Sequence, residues 1–304
     1  RVPPWNAPAV AGAIGGPDDW GPLRMIGPLL ARQLGDGTLE VLLPPPADAV
    51  ARGDGLQRLP PPQEPPRWLR VPAPTRALFP LWELTEASSE KTSSRLWLRL
   101  VDFPAYSRRE TVAGVSQDEL WDEEVRIGIA QDSNRRTTRE GLYYEARYVR
   151  LYPGVGLVVS FTGLDWPETE GVLALGGERR SARFLAVPEF ALPTPPDPLP
   201  ERFTLFFLTP AVFERGWLPA DGSAFFEGSV ELGAAALDRA EVIGGFDLAR
   251  GAERPARHAV PAGSVYYFRA HGTVRLRRDG NLPWVTVSDW GREIGFGTVL
   301  LGGW

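Results

Sequence analysis

Alternation of apolar and polar residues at period two recurs along the chain and predicts β-strands. "SRLWLRLVDF" (94–103) and "GLYYEARYVRLY" (141–152) keep this alternation over ten residues or more. Such a pattern is typical of strands with one solvent-facing side. "SQDELWDEEVRIGI" begins at Ser116 as a capped, acidic helical turn and continues into a further strand at "VRIGIA". The first half of the chain is therefore predicted to be rich in half-exposed strands.

The last hundred residues predict a mixture of buried strands and one short helix. "RFTLFFLTPAVF" indicates a buried strand that ends at Pro210, "GAAALDRA" (233–240) a short helix, and "AEVIGGFDLA" a return to strand. "RHAVPAGSVYYFRA" predicts two extended segments about a turn at 261–263, and "GTVLLGGW" a last strand. Within the tyrosine-rich strand, alternation places Tyr266 and Phe268 on the face opposite to Val265 and Tyr267. This order favours an α+β sandwich of the ferredoxin-like kind.

Proline divides the chain into regions. The segment 42–68, "LLPPPADAVARGDGLQRLPPPQEPPRW", is predicted to be an extended, largely polyproline connector or insertion. A second proline-rich break at 187–203 separates two strand-bearing regions. We therefore predict an N-terminal domain over 1–190, with a proline-rich insertion near 43–67, and a C-terminal domain over 191–304.

Composition excludes several classes of protein. The 304 residues are 43% hydrophobic, enough for a sizeable core, and they include no cysteine and two histidines. Disulfides are therefore impossible, and we expect no metal site and no cofactor. The longest apolar runs, such as 154–161, are far shorter than the roughly 20 residues that span a bilayer, and nothing resembles a signal peptide. We expect a cytoplasmic protein with no membrane partner. Because the sequence does not begin with methionine, we expect its N-terminus to be cut, or left out because it was not ordered.

The basic residues are unusual in kind and in distribution. The net charge of −5 argues against general binding of nucleic acid, yet Lys91 is the only lysine among 33 basic residues. Arginine offers a planar fork that matches phosphate and a face that stacks on bases, although a GC-rich genome or growth at high temperature gives the same bias. The arginines also cluster locally, which is the pattern of a defined groove. The clusters are 135–139, 179–183, 250–257 and 275–278.

Five motifs, in order, resemble the RAMP-type subunit of type III-B CRISPR effector (Cmr) complexes that caps the 5′ end of the guide RNA. They are "PPWNAPAVAGAI" (3–14), "EVRIGIAQDSNRRTTREGLYY" (124–144), "LALGGERRSARF" (173–184), "GGFDLARG" with "RHAVPAGSVYYF" (244–268), and "GREIGFGTVLLGGW" (291–304). Each alone is a weak signal, but together they extend over the whole chain. The family's first strand is missing, and Asn6 and Ala7 replace its small hydroxyl residues.

The resemblance implies two ferredoxin-like (RRM-like, RAMP) domains packed face to face, with glycine-rich loops that hold RNA backbone. In the last motif, Gly295 and Gly297 would bring backbone N–H groups close to phosphate while Phe296 stacks on a base. The alternative is a strand turn with Phe296 in the core. The large apolar area of Trp304 favours burial over RNA contact.

Further RNA contacts are expected from two other motifs. In "GGERR", the two glycines permit close approach, and one of the two adjacent arginines would reach phosphate while the other pairs with a carboxylate. A purely structural ion pair is the alternative there, and an ordinary half-buried strand position is the alternative for His258. The candidate RNA-binding residues in these motifs are Gly176, Gly177, Arg179, Arg180, Arg183, Arg257 and His258.

The expected function is structural rather than catalytic. The sequence has no nucleophile triad order and no phosphate-binding "GxxxxGK" motif, so His258 and His271 are the only candidates for a general base. The resemblance implies a protein that holds the crRNA 5′ handle and docks on the large palm-domain subunit and on a backbone RAMP subunit. The alternatives are a RAMP endoribonuclease that processes precursor crRNA with a histidine general base, and a sugar- or peptide-binding protein, which would fit the 11 tryptophans.

Overall fold

Antiparallel β-structure dominates the computed structural model of the chain. It describes residues 19–59, 71–72, 77–78, 81, 96–131, 138–166, 168–175, 180–187, 190–247, 251–278 and 282–304. Within these residues, one short α-helix, α1 (Phe103–Ser107), accompanies the strands. Short 3-10 turns lie at Leu100–Asp102, Gln117–Glu119, Gly222–Ala224 and Arg292–Ile294.

The described strands, in chain order, are β1 (Arg24–Gln33), β2 (Leu39–Leu43), β3 (Ala49–Arg52), β4 (Gly55–Arg58), β5 (Val71–Pro72), β6 (Ala77–Leu78), β7 (Leu96–Arg99), β8 (Val112–Ser116), β9 (Trp121–Gln131), β10 (Thr138–Leu151), β11 (Val155–Thr162), β12 (Glu170–Ala174), β13 (Ser181–Leu185), β14 (Arg202–Phe207), β15 (Phe226–Ala236), β16 (Glu241–Ile243), β17 (Phe246–Asp247), β18 (Ala252–Glu253), β19 (Arg257–Ala259), β20 (Val265–Leu276), β21 (Val285–Thr286) and β22 (Thr298–Gly303).

Two sheets organise the chain. The first has seven strands in the order β11-β1-β2-β7-β8-β4-β3, and the second has five in the order β15-β20-β14-β22-β21. Neither sheet uses strands from both sides of the proline-rich break at 187–203. The remaining strands form the two-stranded ribbons β9–β10, β12–β13, β16–β19, β17–β18 and β5–β6.

The two sheets share one hydrophobic core. Leu43 and Leu98 of the first sheet, together with the rings of Phe103 and Tyr106 in α1, form one cluster with Tyr267 of β20 in the second sheet. A separate aromatic core covers the opposite face of the second sheet. Alternate residues of β20 enter different cores, because successive strand side chains point to opposite faces. Val265 and Tyr267 lie in the shared core and Tyr266 and Phe268 in the other, so the predicted alternation is confirmed.

A buried ion pair reinforces the contact between the sheets. Arg58, the last residue of β4, donates from Nε to Asp48 Oδ2 at 2.9 Å, and both residues are at most 5% exposed. Tyr106 and Tyr267 each donate a hydroxyl hydrogen bond of 2.6 Å to the same carboxylate. Arg58 Nη1 also donates to the Gly303 carbonyl of β22 at 2.6 Å. One charged network therefore connects β4, α1, β20 and β22.

Several predictions about local structure are confirmed. The acidic turn at Ser116 has the expected capping box: Ser116 Oγ accepts from Asp118 N–H, and Glu119 accepts from Ser116 N–H. The strands expected at 141–152, near 202–207 and at the last motif are β10, β14 and β22. The mostly β architecture, with one short α-helix among the described residues, is compatible with an α+β, RAMP-like fold. The ferredoxin-like details stay a prediction.

Three predictions about local structure are wrong. "GAAALDRA" is not a helix, because β15 continues to Ala236. Its small residues make room for the ring of Trp304, since a Cβ on Gly233 would lie 2.7 Å from Cη2 of that ring. The described part of the segment 42–68, residues 42–59, is not a largely polyproline connector or insertion, because it contains β3 and β4; residues 60–68 lie outside the described residues. The strand expected over 94–103 ends at Arg99, and the chain enters α1, where Pro104 suits the first turn of a helix.

Candidate nucleic-acid interface

The glycine-rich loop between β21 and β22 contacts the first sheet. Gly291 and Gly295 have φ values of 73° and 90° and flank the 3-10 turn Arg292–Ile294, and Gly297 has φ 69°. A Cβ on Gly295 would lie 3.0 Å from the carbonyl oxygen of Met25 in β1. The turn therefore needs glycine both for its left-handed backbone and for its close approach to the other sheet.

The backbone N–H groups of this loop are bonded within the protein. Gly295 N donates to Arg292 O at 3.2 Å, Phe296 N to Gly291 O at 3.1 Å, and Gly297 N to Pro210 O at 2.8 Å. Gly295 and Gly297 are both buried. The sequence correctly indicated that another backbone approaches these glycines closely. In this structure the approaching backbone belongs to the protein itself, at Met25 and Pro210. Contact of these glycines with RNA stays a prediction.

Phe296 belongs to a small stack of side chains that includes one arginine. Its ring centroid is 4.9 Å from that of Trp290, and both residues are half-buried. The guanidinium carbon of Arg257 lies 4.7 Å from the Trp290 ring centroid, while Arg257 itself is exposed. The structure thus brings together two of the predicted residues, Arg257 and Phe296, through a tryptophan that the sequence analysis did not select.

The position of Trp290 is fixed by the segment before it. A bridge pairs Trp290 with Val212, and the fully buried hydroxyl of Ser288 accepts from Val212 N–H at 3.0 Å. The Asp289 carboxylate accepts backbone hydrogen bonds from Glu214 at 2.9 Å and Ala220 at 3.0 Å. These bonds hold the indole in place against Phe296. The signal available in the sequence was a tryptophan directly before the Gly291 turn.

His258 follows Arg257 in β19 but does not join this stack. Successive strand residues point to opposite faces, so the imidazole and the Arg257 guanidinium diverge. His258 is exposed and pairs in register with Val242. His271 is also exposed, with Nε2 3.3 Å from Oε2 of Glu231.

The "GGERR" motif lies between β12 and β13 in the sequence. Gly176, Gly177 and Arg179 fall outside the described residues. Leu175 N donates to Arg180 O at 3.1 Å and closes the ribbon. The Arg180 guanidinium carbon lies 3.9 Å from the ring centroid of Tyr148 in β10. The exposed Arg180 side chain therefore packs on Tyr148 and links the β12–β13 ribbon to the β9–β10 ribbon.

Arg183, farther along the ribbon, forms a solvent-exposed ion pair. Its Nη2 lies 2.8 Å from Glu170 Oε2 across the ribbon, and both side chains are about two-thirds exposed (68% and 64%). Such a pair contributes little to stability because water screens it. Arg183 thus keeps its charge at the surface, next to the packed Arg180.

Comparison with known families identifies the chain. The model of the CRISPR-associated protein family Cas_Cmr3 matches residues 7–304. The chain belongs to the Cmr3 family. The resemblance inferred from the five sequence motifs is therefore confirmed at the level of a Cmr subunit. No protein of curated function matches the sequence.

Two solved structures are similar to this Cmr3-family chain. The first is "Cryo-EM structure of the Type III-B Cmr-beta bound to cognate target RNA", with 19% identity, a TM-score of 0.38, and coverage of 80% of this chain and 64% of that chain. The second, the same complex bound to cognate target RNA and AMPPnP, has 17% identity, a TM-score of 0.40, and coverage of 81% and 66%. This Cmr3-family chain thus covers less than two thirds of the length of the first of them.

The described residues contain no group of three or more histidine, aspartate or glutamate side chains placed to hold a metal ion. Over the same part of the chain, no helix is long and apolar enough to cross a membrane. The candidate chemistry of the described residues is a set of exposed arginines beside aromatic rings. Such a set binds phosphate through guanidinium donors and bases through stacking.

Proposed function

We propose that this chain is a non-catalytic crRNA-binding subunit of a type III-B CRISPR effector complex and holds the repeat-derived 5′ handle of the guide. Membership of the Cmr3 family supports a role in such a complex. In RNA-guided complexes the guide reads the target by base pairing, so the protein needs to fix only the shape and register of the handle. The proposed partners are the handle, the large palm-domain subunit and a backbone RAMP subunit.

The observation that carries the RNA-binding proposal is the position of Arg257 over the Trp290 ring, which in turn contacts Phe296 at a tilt of 58°. An exposed guanidinium that lies on an aromatic ring keeps its outer N–H groups available for phosphate. The two half-buried rings beside it offer surface on which a base stacks. This local combination suits a chain whose net charge of −5 gives no general attraction to RNA.

Within the glycine-rich loop we assign RNA contact to the Phe296 side chain and loop geometry to the glycines. The N–H groups of Gly295 and Gly297 are already bonded to protein carbonyls, so neither is available to phosphate in this conformation. The glycines instead let the loop lie against β1 and hold Phe296 beside Trp290. In the "GGERR" ribbon, we propose that Arg180 and Arg183 supply further contacts to the handle.

Exposed apolar side chains support the docking part of the proposal. The rings of Phe161, Trp166 and Phe184 form a row of edge contacts with centroid separations of 6.4 and 5.7 Å, and Trp166 is 47% exposed. Phe161, at one end of the row, is 39% exposed. A contiguous apolar surface of this kind marks an interaction site. We propose that it faces another subunit of the complex.

Replacement of Arg257 by glutamine tests the RNA-binding proposal. The effector complex is purified with wild-type chain, with Arg257→Gln, or with Arg108→Gln as control, since Arg108 is exposed and paired with Glu110. Bound RNA is quantified and its 5′ ends are mapped. Wild type and control should carry RNA with one common 5′ end, and Arg257→Gln should lose several-fold in occupancy at physiological salt. Wild-type occupancy in Arg257→Gln would refute this site.

The proposal that the chain is not an enzyme has a separate test. His258→Ala combined with His271→Ala should leave processing of precursor crRNA by the assembled system unchanged. An endoribonuclease would need one of these imidazoles as general base next to the ribose 2′-hydroxyl. Loss of cleavage while assembly stays intact would favour the endoribonuclease alternative.

A further inference from the structure

Two arginines lie side by side on the second sheet, far along β22 from the glycine-rich loop. Arg202 of β14 is the register partner of Arg269 on β20, and both are half-buried. Alternate residues on the same strands, Phe206 and Tyr267, belong to the core between the sheets. Because strand side chains alternate, both arginines lie on that face, at the margin of the core.

The indole of Trp304 lies against both guanidinium groups. Trp304 follows Gly303, the register partner of Phe203, and its ring extends toward β15, where a Cβ on Gly233 would lie 2.7 Å from Cη2. The guanidinium carbons of Arg202 and Arg269 are 5.5 and 5.8 Å from the ring centroid. The ring therefore covers this end of the core and keeps the two cations next to each other.

The two arginines carry two positive charges, and the carboxylate of Glu231 lies opposite Arg269 on β15. Oε2 of Glu231 lies 3.3 Å from His271 Nε2. The Nε atom of Arg269 is buried and has no hydrogen-bond acceptor among the described residues. Like charges directly opposite each other on neighbouring strands are unfavourable, and so is an unpaired buried donor.

We propose that Arg202 and Arg269 form an oxyanion site that binds a phosphate group beside the Trp304 indole. A phosphate accepts from two guanidinium forks at once, which compensates both charges and supplies acceptors for their N–H groups. The neighbouring indole offers a surface for a base, so the chemistry fits the backbone of single-stranded RNA or a free nucleotide. β22, whose six residues span about 20 Å at about 3.3 Å per residue, separates the site from the glycine-rich loop.

The inference that RNA supplies this phosphate rests on the proposed function, whereas the inference of an oxyanion site does not. The test therefore has a phosphate arm and an RNA arm, each with the full chain alone. Both arms compare wild type with the double variant Arg202→Gln and Arg269→Gln. Arg275→Gln is the matched control, because Arg275 lies on the same strand and already pairs with Asp197 at 2.9 Å.

The phosphate arm measures thermal unfolding in inorganic phosphate and in chloride at equal ionic strength. At a phosphate concentration several-fold above Kd, the melting temperature of wild type and control should rise by about 2 °C. The double variant should lose this increment. Because each variant serves as its own reference in chloride, a change in its basal stability does not affect the comparison.

The RNA arm measures the salt dependence of binding of a labelled single-stranded RNA by fluorescence anisotropy at low salt. Loss of one phosphate contact should reduce the slope of log K against log salt by about 0.7 in the double variant only. If the double variant loses the phosphate-induced rise in melting temperature but keeps the wild-type slope of log K against log salt, the site binds free phosphate or a nucleotide, and RNA as its ligand is overturned. An equal phosphate increment in the double variant, or none in wild type, would overturn the site. Neither arm depends on Arg257 or on retention of guide RNA by the complex.

Discussion

Removal of the Asp48 charge tests how strongly one buried ion pair holds the two sheets together. Asp48 accepts from Arg58 Nε at 2.9 Å, and the side chains are 0% and 4% exposed. Tyr106 and Tyr267 donate to the same carboxylate. Burial opposes the charge on Arg58, but the carboxylate and Tyr267 more than offset it and leave the pKa of the guanidinium raised. Asp48→Asn keeps the shape of the side chain and leaves that guanidinium without a counter-charge.

The expected loss follows from the burial of the pair. Truncation of one partner of a buried, hydrogen-bonded ion pair costs about 3–5 kcal/mol, because the other charge stays buried without compensation. Typical domains unfold with about 5–15 kcal/mol, so the variant would lose a large part of its stability. Glu170→Gln is the control, since it breaks the exposed pair with Arg183 and should cost at most about 1 kcal/mol.

Urea unfolding followed by tryptophan fluorescence measures both effects. The free energy of unfolding is obtained for wild type, Asp48→Asn, Arg58→Met, their double variant and the control. Because both substitutions act on one contact, the double variant should be more stable than the sum of the single effects predicts, by about 1–3 kcal/mol. A loss below 1 kcal/mol in Asp48→Asn, or strict additivity in the double variant, would refute the argument that this pair joins the sheets.

Two further predictions concern backbone strain and pH. Gly297→Ala should cost several kcal/mol in unfolding free energy, because at φ 69° its Cβ would overlap the Val287 carbonyl. The control Gly251→Ala, at φ 65° in open space, should cost about 1 kcal/mol. Equal losses of the two variants in urea unfolding would contradict this prediction. Burial raises the pKa of Tyr106 and Tyr267, so the stability that they contribute is fully present below about pH 10 and is lost as the pH rises above it. The unfolding free energy should therefore fall between pH 10 and about 12, and a fall of the same size after Tyr106→Phe with Tyr267→Phe would exclude these two groups as its cause.

Strand positions were predictable wherever two faces of a strand have different surroundings or a turn has a chemical signature. The alternation of Val265, Tyr266, Tyr267 and Phe268 was assigned correctly because alternate positions of the strand fill two separate cores. The capped turn at Ser116 was also predictable, since the capping box uses residues only three apart. These features depend on local sequence, so the sequence alone determines them.

Features that depend on distant partners were not predictable in the same way. The small residues that favoured a helix near Gly233 instead accommodate the ring of Trp304, which lies about seventy positions later. The hairpin of β3 and β4 lies in a proline-rich segment, and its Asp48 and Arg58 are explained only by contacts with α1, β20 and β22. Propensity and pattern are weak where long-range packing decides the conformation.

The candidate RNA site shows the same division between local and distant information. The sequence indicated that Gly295 and Gly297 permit a close approach, but not that the approaching groups are carbonyls of β1 and of Val287. Trp290 was missed because a lone tryptophan carries no sign of its neighbours. Phe296 and Trp290 belong to the second part of the chain, yet the loop that holds Phe296 lies against Met25 in the first sheet. The geometry of the proposed site therefore requires both sheets, and a loosened contact between them should weaken RNA retention even when every residue of the site is intact.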